Sequence, residues 1–157
     1  MTTVVLKEPD VLTSEQQYAT FYVSNMLLGI DIRQVQEINR QLDVTSVPHA
    51  PEFVRGVINL RGDVASVLDL STILGLPKSE VTRDSRTLIV NSGGESIGFM
   101  VDRISDILTL RADQINSTPA NINGVQGRFF SGVHTLDSEV AVNLNIQEAL
   151  SERIKED

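Results

Sequence analysis

The chain contains no cysteine, which excludes disulfide frameworks, thiolate zinc sites and cysteine nucleophiles. Tryptophan is also absent and aromatic residues make up only 4%, so a core has to be assembled mainly from Val, Ile and Leu. No apolar run approaches the roughly 18–20 residues that a membrane-spanning helix needs. Positive charge is scarce: 13 Lys and Arg stand against 21 Asp and Glu, a formal net charge of −8. That balance argues against nucleic acid, because phosphate binding needs a basic stripe that releases counterions. It argues equally against an electrostatic hold on anionic lipid. Met1 to Asp10 has no apolar stretch behind positive charge, so it does not read as a secretion signal. Without export the Asn116-Ser117-Thr118 sequon carries no meaning, and a cytoplasmic protein without direct membrane insertion is expected.

What is present is a globular composition, 41% hydrophobic and 22% charged over 157 residues, enough for one ordinary domain or two very small ones sharing a core. The most informative feature is internal. Phe53 to Leu74 lies over Phe129 to Leu150 without a gap, an offset of 76 residues (129 − 53). Identical pairs include Phe53/Phe129, Gly56/Gly132, Leu60/Leu136, Ala65/Ala141, Leu68/Leu144 and Leu74/Leu150. These are apolar or glycine positions, which fix packing and backbone geometry. The polar positions have diverged: Arg61 faces Asp137 and Asp69 faces Asn145. Two earlier blocks match in the same order. Gly29 to Ile38 lies over Gly98 to Ile107 at an offset of 69 (98 − 29), and Thr20 to Val23 over Thr87 to Val90 at 67 (87 − 20). The chain is a duplicated unit whose loops absorb the changes in offset.

Each unit reads as strands. The runs Thr20–Ser24, Leu27–Ile32, Val57–Leu60 and Val64–Leu70 are short, rich in β-branched residues and bounded by polar or glycine turns. Their counterparts are Thr87–Asn91, Ile97–Val101, Val133–Leu136 and Val140–Ile146. Turns are expected at Gly62-Asp63, Asp137-Ser138 and Ser92-Gly93-Gly94-Glu95. Ser71 is a candidate cap for a short helical turn ending at Gly75, before Pro77. Gln147 to Asp157 reads as a terminal helix with Ala149, Leu150 and Ile154 as its apolar stripe. A five-strand unit of this size buries too little surface to stand alone, so two should pack together and leave a groove between them.

Chemistry is sparse. Phosphate loop, dinucleotide fingerprint, Gly-x-Ser-x-Gly elbow and His-Glu-x-x-His are all missing from the sequence. His49, held between Pro48 and Pro51, and His134, where the first repeat has Ile58, occupy non-equivalent positions. Both read as structural or surface imidazoles rather than metal ligands. Asp31, Asp69 and Asp102 invite an acid–base reading, yet each falls at a strand end, where aspartate ordinarily bonds a turn or cap. Arg61, at a hairpin end, has two readings: a solvated turn residue, or an interface anchor that forks onto a carboxylate.

The same residues carry a family signature. Gly29-Ile30-Asp31-Ile32-x-x-Val35-x-Glu37-Ile38, Val47-Pro48-x-Ala50-Pro51, Phe53 to Gly62 and Asp69-Leu70, with Ile97 to Leu108 in the second half, resemble a CheW domain. The resemblance spans about Gln16 to Leu150. It implies a mainly β fold of two SH3-like five-stranded barrels from an internal duplication, with short helices and a C-terminal helix. The organisation expected is one domain over 16–150 of two intertwined barrel subdomains, with repeats at about 18–76 and 85–150. A tail at 1–15 and the end of a helix at 151–157 flank it.

Functionally, the resemblance implies a non-catalytic scaffold without cofactor or metal, placed in the cytoplasm at receptor arrays. It would couple chemoreceptors to the histidine kinase CheA. Its implied partners are the chemoreceptor cytoplasmic tip, the CheA regulatory domain and other CheW-like domains in array rings. Carried over by motif, the receptor-facing residues are Ile32, Val35, Glu37, Gly56, Asn59, Arg61, Gly98 and Ile104, and no residue is assigned to a kinase face. The chain departs from the pattern at Ser71, where many members carry arginine, and at Asn116 to Asn121, which lacks the charged and aromatic residues some members have. Two other readings compete: a tandem SH3-like binding module of another signalling complex, and, more distantly, a small carboxylate-based hydrolase. A kinase or receptor gene beside this one separates the first from the adaptor reading, and loss of an activity on Asp31→Asn or Asp102→Asn would support the second.

Overall fold

The computed structural model describes residues 14–40 and 44–155, with side chains to Arg153. The expected tail is therefore outside the described residues as far as Thr13, as are the Ile154 side chain, Glu156 and Asp157.

Twelve strands and two helices are present among the described residues. The first half holds β1 (Glu15–Val23), β2 (Met26–Asp31), β3 (Val35–Asn39), β4 (Val54–Leu60) and β5 (Asp63–Asp69), then α1 (Leu70–Ile73). The second holds β6 (Arg86–Ser92), β7 (Glu95–Val101), β8 (Arg103–Arg111), the two-residue β9 (Asn121–Ile122) and β10 (Val125–Gln126), β11 (Phe130–Thr135), β12 (Val140–Leu144) and α2 (Ile146–Lys155). The expected strand pairs all form, within a residue or a few at their ends. Two strands of the main sheets, β3 and β8, were not expected from the sequence, because neither alternates.

The main strands form two five-stranded sheets, ordered β11-β12-β2-β1-β8 and β4-β5-β7-β6-β3. Written this way the sheets are images of one another under the repeat. Each takes its first hairpin from one half of the sequence and its other three strands from the other half. β1–β2 therefore pairs in parallel with β12, Asn143 opposite Gly29, just as β7 pairs in parallel with β5, Val67 opposite Gly98. The chain passes between sheets at the one-turn helix Ile32–Gln34 and again at Asp102.

The duplicated positions are structurally equivalent. Asp69 and Asn145 donate their backbone N–H to the carbonyls of Phe53 and Phe129, both at 2.7 Å. Val57 bridges to Thr45 as Val133 does to Asn116. β4 and β11 carry matching bulges at Val54–Gly56 and Phe130–Gly132. Gly56 is required there: its φ is +148°, and a Cβ would sit 2.3 Å from the Thr45 carbonyl oxygen. One continuous apolar cluster joins the sheets, running from Phe21 and Leu28 through Leu68, Leu88 and Phe99 to Leu144 and Leu150. A smaller one, including Ile58, Val67, Ile89 and Met100, lies in the β4-β5-β7-β6-β3 sheet.

Three local expectations are corrected. The cap of α1 is Asp69, whose carboxylate accepts from the Thr72 N–H at 3.4 Å; Ser71 lies inside the helix, buried. The turn of the β4–β5 hairpin is Arg61-Gly62 rather than Gly62-Asp63, since Leu60 pairs with Asp63. The Asp69/Asn145 pair is not divergent surface, because Asn145 caps α2 through the Glu148 N–H at 3.2 Å as Asp69 caps α1. Either side chain supplies the oxygen that a helix N-terminus needs.

Candidate functional site

β3 and β8 each form one edge of a sheet, and a groove of about 410 Å³ runs between them. Its lining is Ala19, Thr20, Ile32, Val35, Glu37, Ile38, Ile104, Ser105 and Ile107. Each wall owes its shape to a bulge. On β3 the pairing with β6 slips between Val35 and Glu37, and on β8 the pairing with β1 slips between Ile104 and Ile107. In a regular strand, residues three apart point to opposite faces. An extra residue in one strand restores them to the same side. Val35 and Ile38 thus share one wall, and Ile104 and Ile107 share the other, matched pair for pair at the offset of 69. Ile38 is 44% exposed and Ile107 56%, so the groove presents apolar surface to water at its centre.

Ile32 enters from the crossover turn between β2 and β3. Asp31 holds that turn, accepting from the Arg33 N–H at 2.9 Å while its carboxylate pairs with the Arg33 guanidinium at 2.7 Å. The hydrogen bonds from Arg33, aided by its charge, hold the Asp31 carboxyl below the usual carboxylate range despite partial burial. Asp102 does similar work, accepting from the Ser24 N–H at 2.7 Å. His134 meets the Gln114 carbonyl at 3.0 Å. All three aspartates thus serve turns or caps.

Of the eight motif residues, Ile32, Val35, Glu37 and Ile104 line this groove. Arg61 joins them through Glu37, with its guanidinium 3.7 Å from that carboxylate and its side chain 82% exposed. Asn59 sits beside it and accepts from the Gly62 N–H at 2.9 Å, closing the turn that presents Arg61. The turn puts Arg61 at φ +53° and Gly62 at +94°, a pair of left-handed residues normal for a two-residue hairpin but unusual for arginine. Gly56 and Gly98 are buried instead. A Cβ on Gly98 would lie 2.6 Å from Thr87 Cγ2, so this glycine leaves room for the side chains of the neighbouring strands.

Ala19, Thr20, Ile38, Ser105 and Ile107 also line the groove and were missed from the sequence. For Ile38 and Ile107 the signal was the apolar pair three residues apart, Val35-x-x-Ile38 and Ile104-x-x-Ile107, repeated at the offset of 69; Ala19, Thr20 and Ser105 carried none. A larger cleft of about 500 Å³, formed by the linker Pro77–Asp84 with Ser24, Asp102 and Arg103, contains none of the motif residues.

Comparison with known proteins places the chain, by sequence and fold, in a family. The profile described as CheW-like domain matches residues 17–153. The chain is 30% identical to Chemotaxis protein CheW of Klebsiella aerogenes over 139 residues, covering 88% of this chain and 84% of that one. It is 33% identical to Chemotaxis protein CheW of Bacillus subtilis over 113 residues, 72% of each. Its fold matches the crystal structure of the scaffolding protein TtCheW from Thermoanaerobacter tengcongensis with a TM-score of 0.78 at 28% identity, over 84% of this chain and 90% of that one.

Proposed function

The chain belongs to the CheW-like domain family, and from that premise we propose that it is a non-catalytic adaptor, coupling chemoreceptors to the histidine kinase CheA, with the β3–β8 groove as its receptor seat. Similarity to chemotaxis proteins along nearly the whole chain supports the coupling role. The observation that carries the site is the convergence of Ile32, Val35 and Glu37 from the first half with Ile104 from the second on one apolar groove, with Arg61 at its rim. An amphipathic helix laid in such a groove covers its apolar walls and meets a charge that sets register. The partners are a chemoreceptor cytoplasmic tip in this groove and the CheA regulatory domain elsewhere, with other CheW-like domains completing array rings at the cytoplasmic face. No helix among the described residues is long and apolar enough to cross a membrane, so on this reading the array position comes from the partners.

The experiment is direct. Ile107→Asp alters an exposed residue of the wall, and its melting temperature should stay near that of the parent. Its affinity for a receptor cytoplasmic fragment should fall by roughly tenfold or more, as expected when a buried apolar contact is replaced by an unpaired charge, with CheA-domain affinity retained. Receptor binding that is unchanged in both Ile107→Asp and Ile38→Asp would remove the groove from the receptor site.

A further inference from the structure

The two bulges that shape the groove are held in different ways. On β3 the extra residue is Gln36, since Val35 pairs with Val90 and Glu37 with Ile89. Gln36 is exposed, and its Oε1 accepts from Ser96 Oγ at 2.9 Å. On β8 Ile104 pairs with Phe21 and Ile107 with Ala19, so Ser105 and Asp106 together stand opposite one residue, Thr20. Thr20 is 2% exposed, and its hydroxyl donates to the Asp106 carbonyl. Its methyl lies near Gly29 of β2, where a Cβ would be 3.7 Å away. One branched side chain thus packs toward β2 with one arm and bonds β8 with the other.

A bulge breaks the ladder and leaves backbone groups of the bulged strand without strand partners. A side-chain donor that satisfies such a carbonyl fixes where the extra residue is taken up. The place matters. Were it taken up beyond Ile107, Ile104 and Ile107 would lie three apart in a regular strand and point to opposite faces. One of them would then leave the groove.

We infer that Thr20 is a positioning residue of the receptor site, its hydroxyl pinning the bulge at Ser105 and Asp106 so that Ile104 and Ile107 stay on one wall. The inference rests on the groove being the receptor seat and adds a residue that acts through that wall. Thr20 borders the groove but is buried, so it offers a partner helix little to touch. β3 has no such latch from its neighbouring strand, because Val90 and Ile89 beside its bulge carry no hydrogen-bonding side chain.

The test compares Thr20→Val, which keeps the branched shape and strand preference but removes the donor, with Thr20→Ser, which keeps the donor and drops the methyl. Both are measured for melting temperature, for affinity to a receptor cytoplasmic fragment and to a CheA domain, and for amide hydrogen exchange. Thr20→Val should weaken receptor binding by roughly three- to tenfold, the scale of one hydrogen bond, with CheA-domain affinity retained. It should speed exchange at residues 105–107 and leave 35–38 unchanged. Thr20→Ser should bind nearly as the parent does, even though loss of a buried methyl lowers its melting temperature. In an Ile107→Ala background Thr20→Val should cost little further affinity, because the contact it positions is already gone. Receptor binding that simply follows melting temperature across the variants, or penalties that add in the double variant, would overturn the inference. Unchanged receptor binding in Ile107→Asp and Ile38→Asp would instead count against the groove as receptor seat.

Discussion

Arg61 shows how one residue can be separated from the fold that carries it. It is the most exposed charged side chain of the site, and its backbone occupies a conformation that costs a non-glycine residue of order 1 kcal/mol or more. Arg61→Asn should therefore raise stability by roughly 0.5–1 kcal/mol in denaturant melts, while receptor-dependent kinase activation falls. A loss of stability on that change would make the arginine a structural residue. Leu68 and Leu144 are the opposite case. They are repeat counterparts in β5 and β12, 1% and 5% exposed, and both belong to the core that joins the sheets. Truncating either to alanine should cost about 2–5 kcal/mol, read as a shifted denaturation midpoint with an unchanged slope. Asp31 adds a pH dependence. Its carboxyl is held below the usual range by Arg33, so the stability it contributes is present above the unfolded value and lost as pH falls through the folded one. The stability difference between the parent and Asp31→Asn should accordingly shrink below about pH 4, followed by thermal melts across that interval.

At the scale of elements, the segment between the halves is anchored by one buried ion pair. Asp69 is fully buried and pairs with Arg55 at 2.9 Å. Its carboxylate also accepts from the N–H groups of Thr72, at the start of α1, and Ser79, in the linker to β6. Arg55 donates in turn to the Ser79 carbonyl. Ser71, at the position where many relatives were expected to carry arginine, meets Ser79 Oγ at 3.0 Å. One carboxylate thus fixes a strand end, a helix start and a linker. Asp69→Ala leaves the Arg55 charge buried without its mate, and should destabilise by about 3–5 kcal/mol. Replacing both partners with apolar residues should recover only part of that loss, because the Thr72 and Ser79 N–H groups stay unsatisfied. Full recovery in chemical denaturation would show that the ion pair alone carries the effect.

For the whole molecule, the exchange of hairpins between sheets has a consequence that neither repeat displays alone. Each sheet is completed only by strands from both halves of the sequence, and a single apolar cluster runs through both. Unfolding should then be one cooperative transition, with near-ultraviolet and far-ultraviolet signals superposing. A chain cut in the linker between Pro77 and Asp84 should remain associated on size exclusion in native buffer. The fragment beginning at Ser85 should show little tertiary signal by itself. A fragment that folds and stays monomeric would mean that the halves do not need each other's hairpins.

The sequence by itself determined the duplication, the strands that alternate and the family. Identical apolar pairs at a constant offset survive because they occupy the same core positions, and a period of two is a local property of any half-buried strand. It also pointed to the groove residues Ile32, Val35, Glu37 and Ile104, through the motif rather than through any visible periodicity. Only the tertiary structure decided which half supplies each hairpin. A sheet chooses its neighbours by pairing residues far apart in sequence, and an apolar face does not record which apolar face covers it. The same limit hid β3 and β8. Their bulges break the alternation that marks a strand, and those bulges turn Val35, Ile38, Ile104 and Ile107 into a common groove. Asp69 and Arg61 were distinguished in the same way. In sequence both are polar residues next to apolar strands, and packing alone made one a buried anchor and left the other facing solvent at the groove's rim.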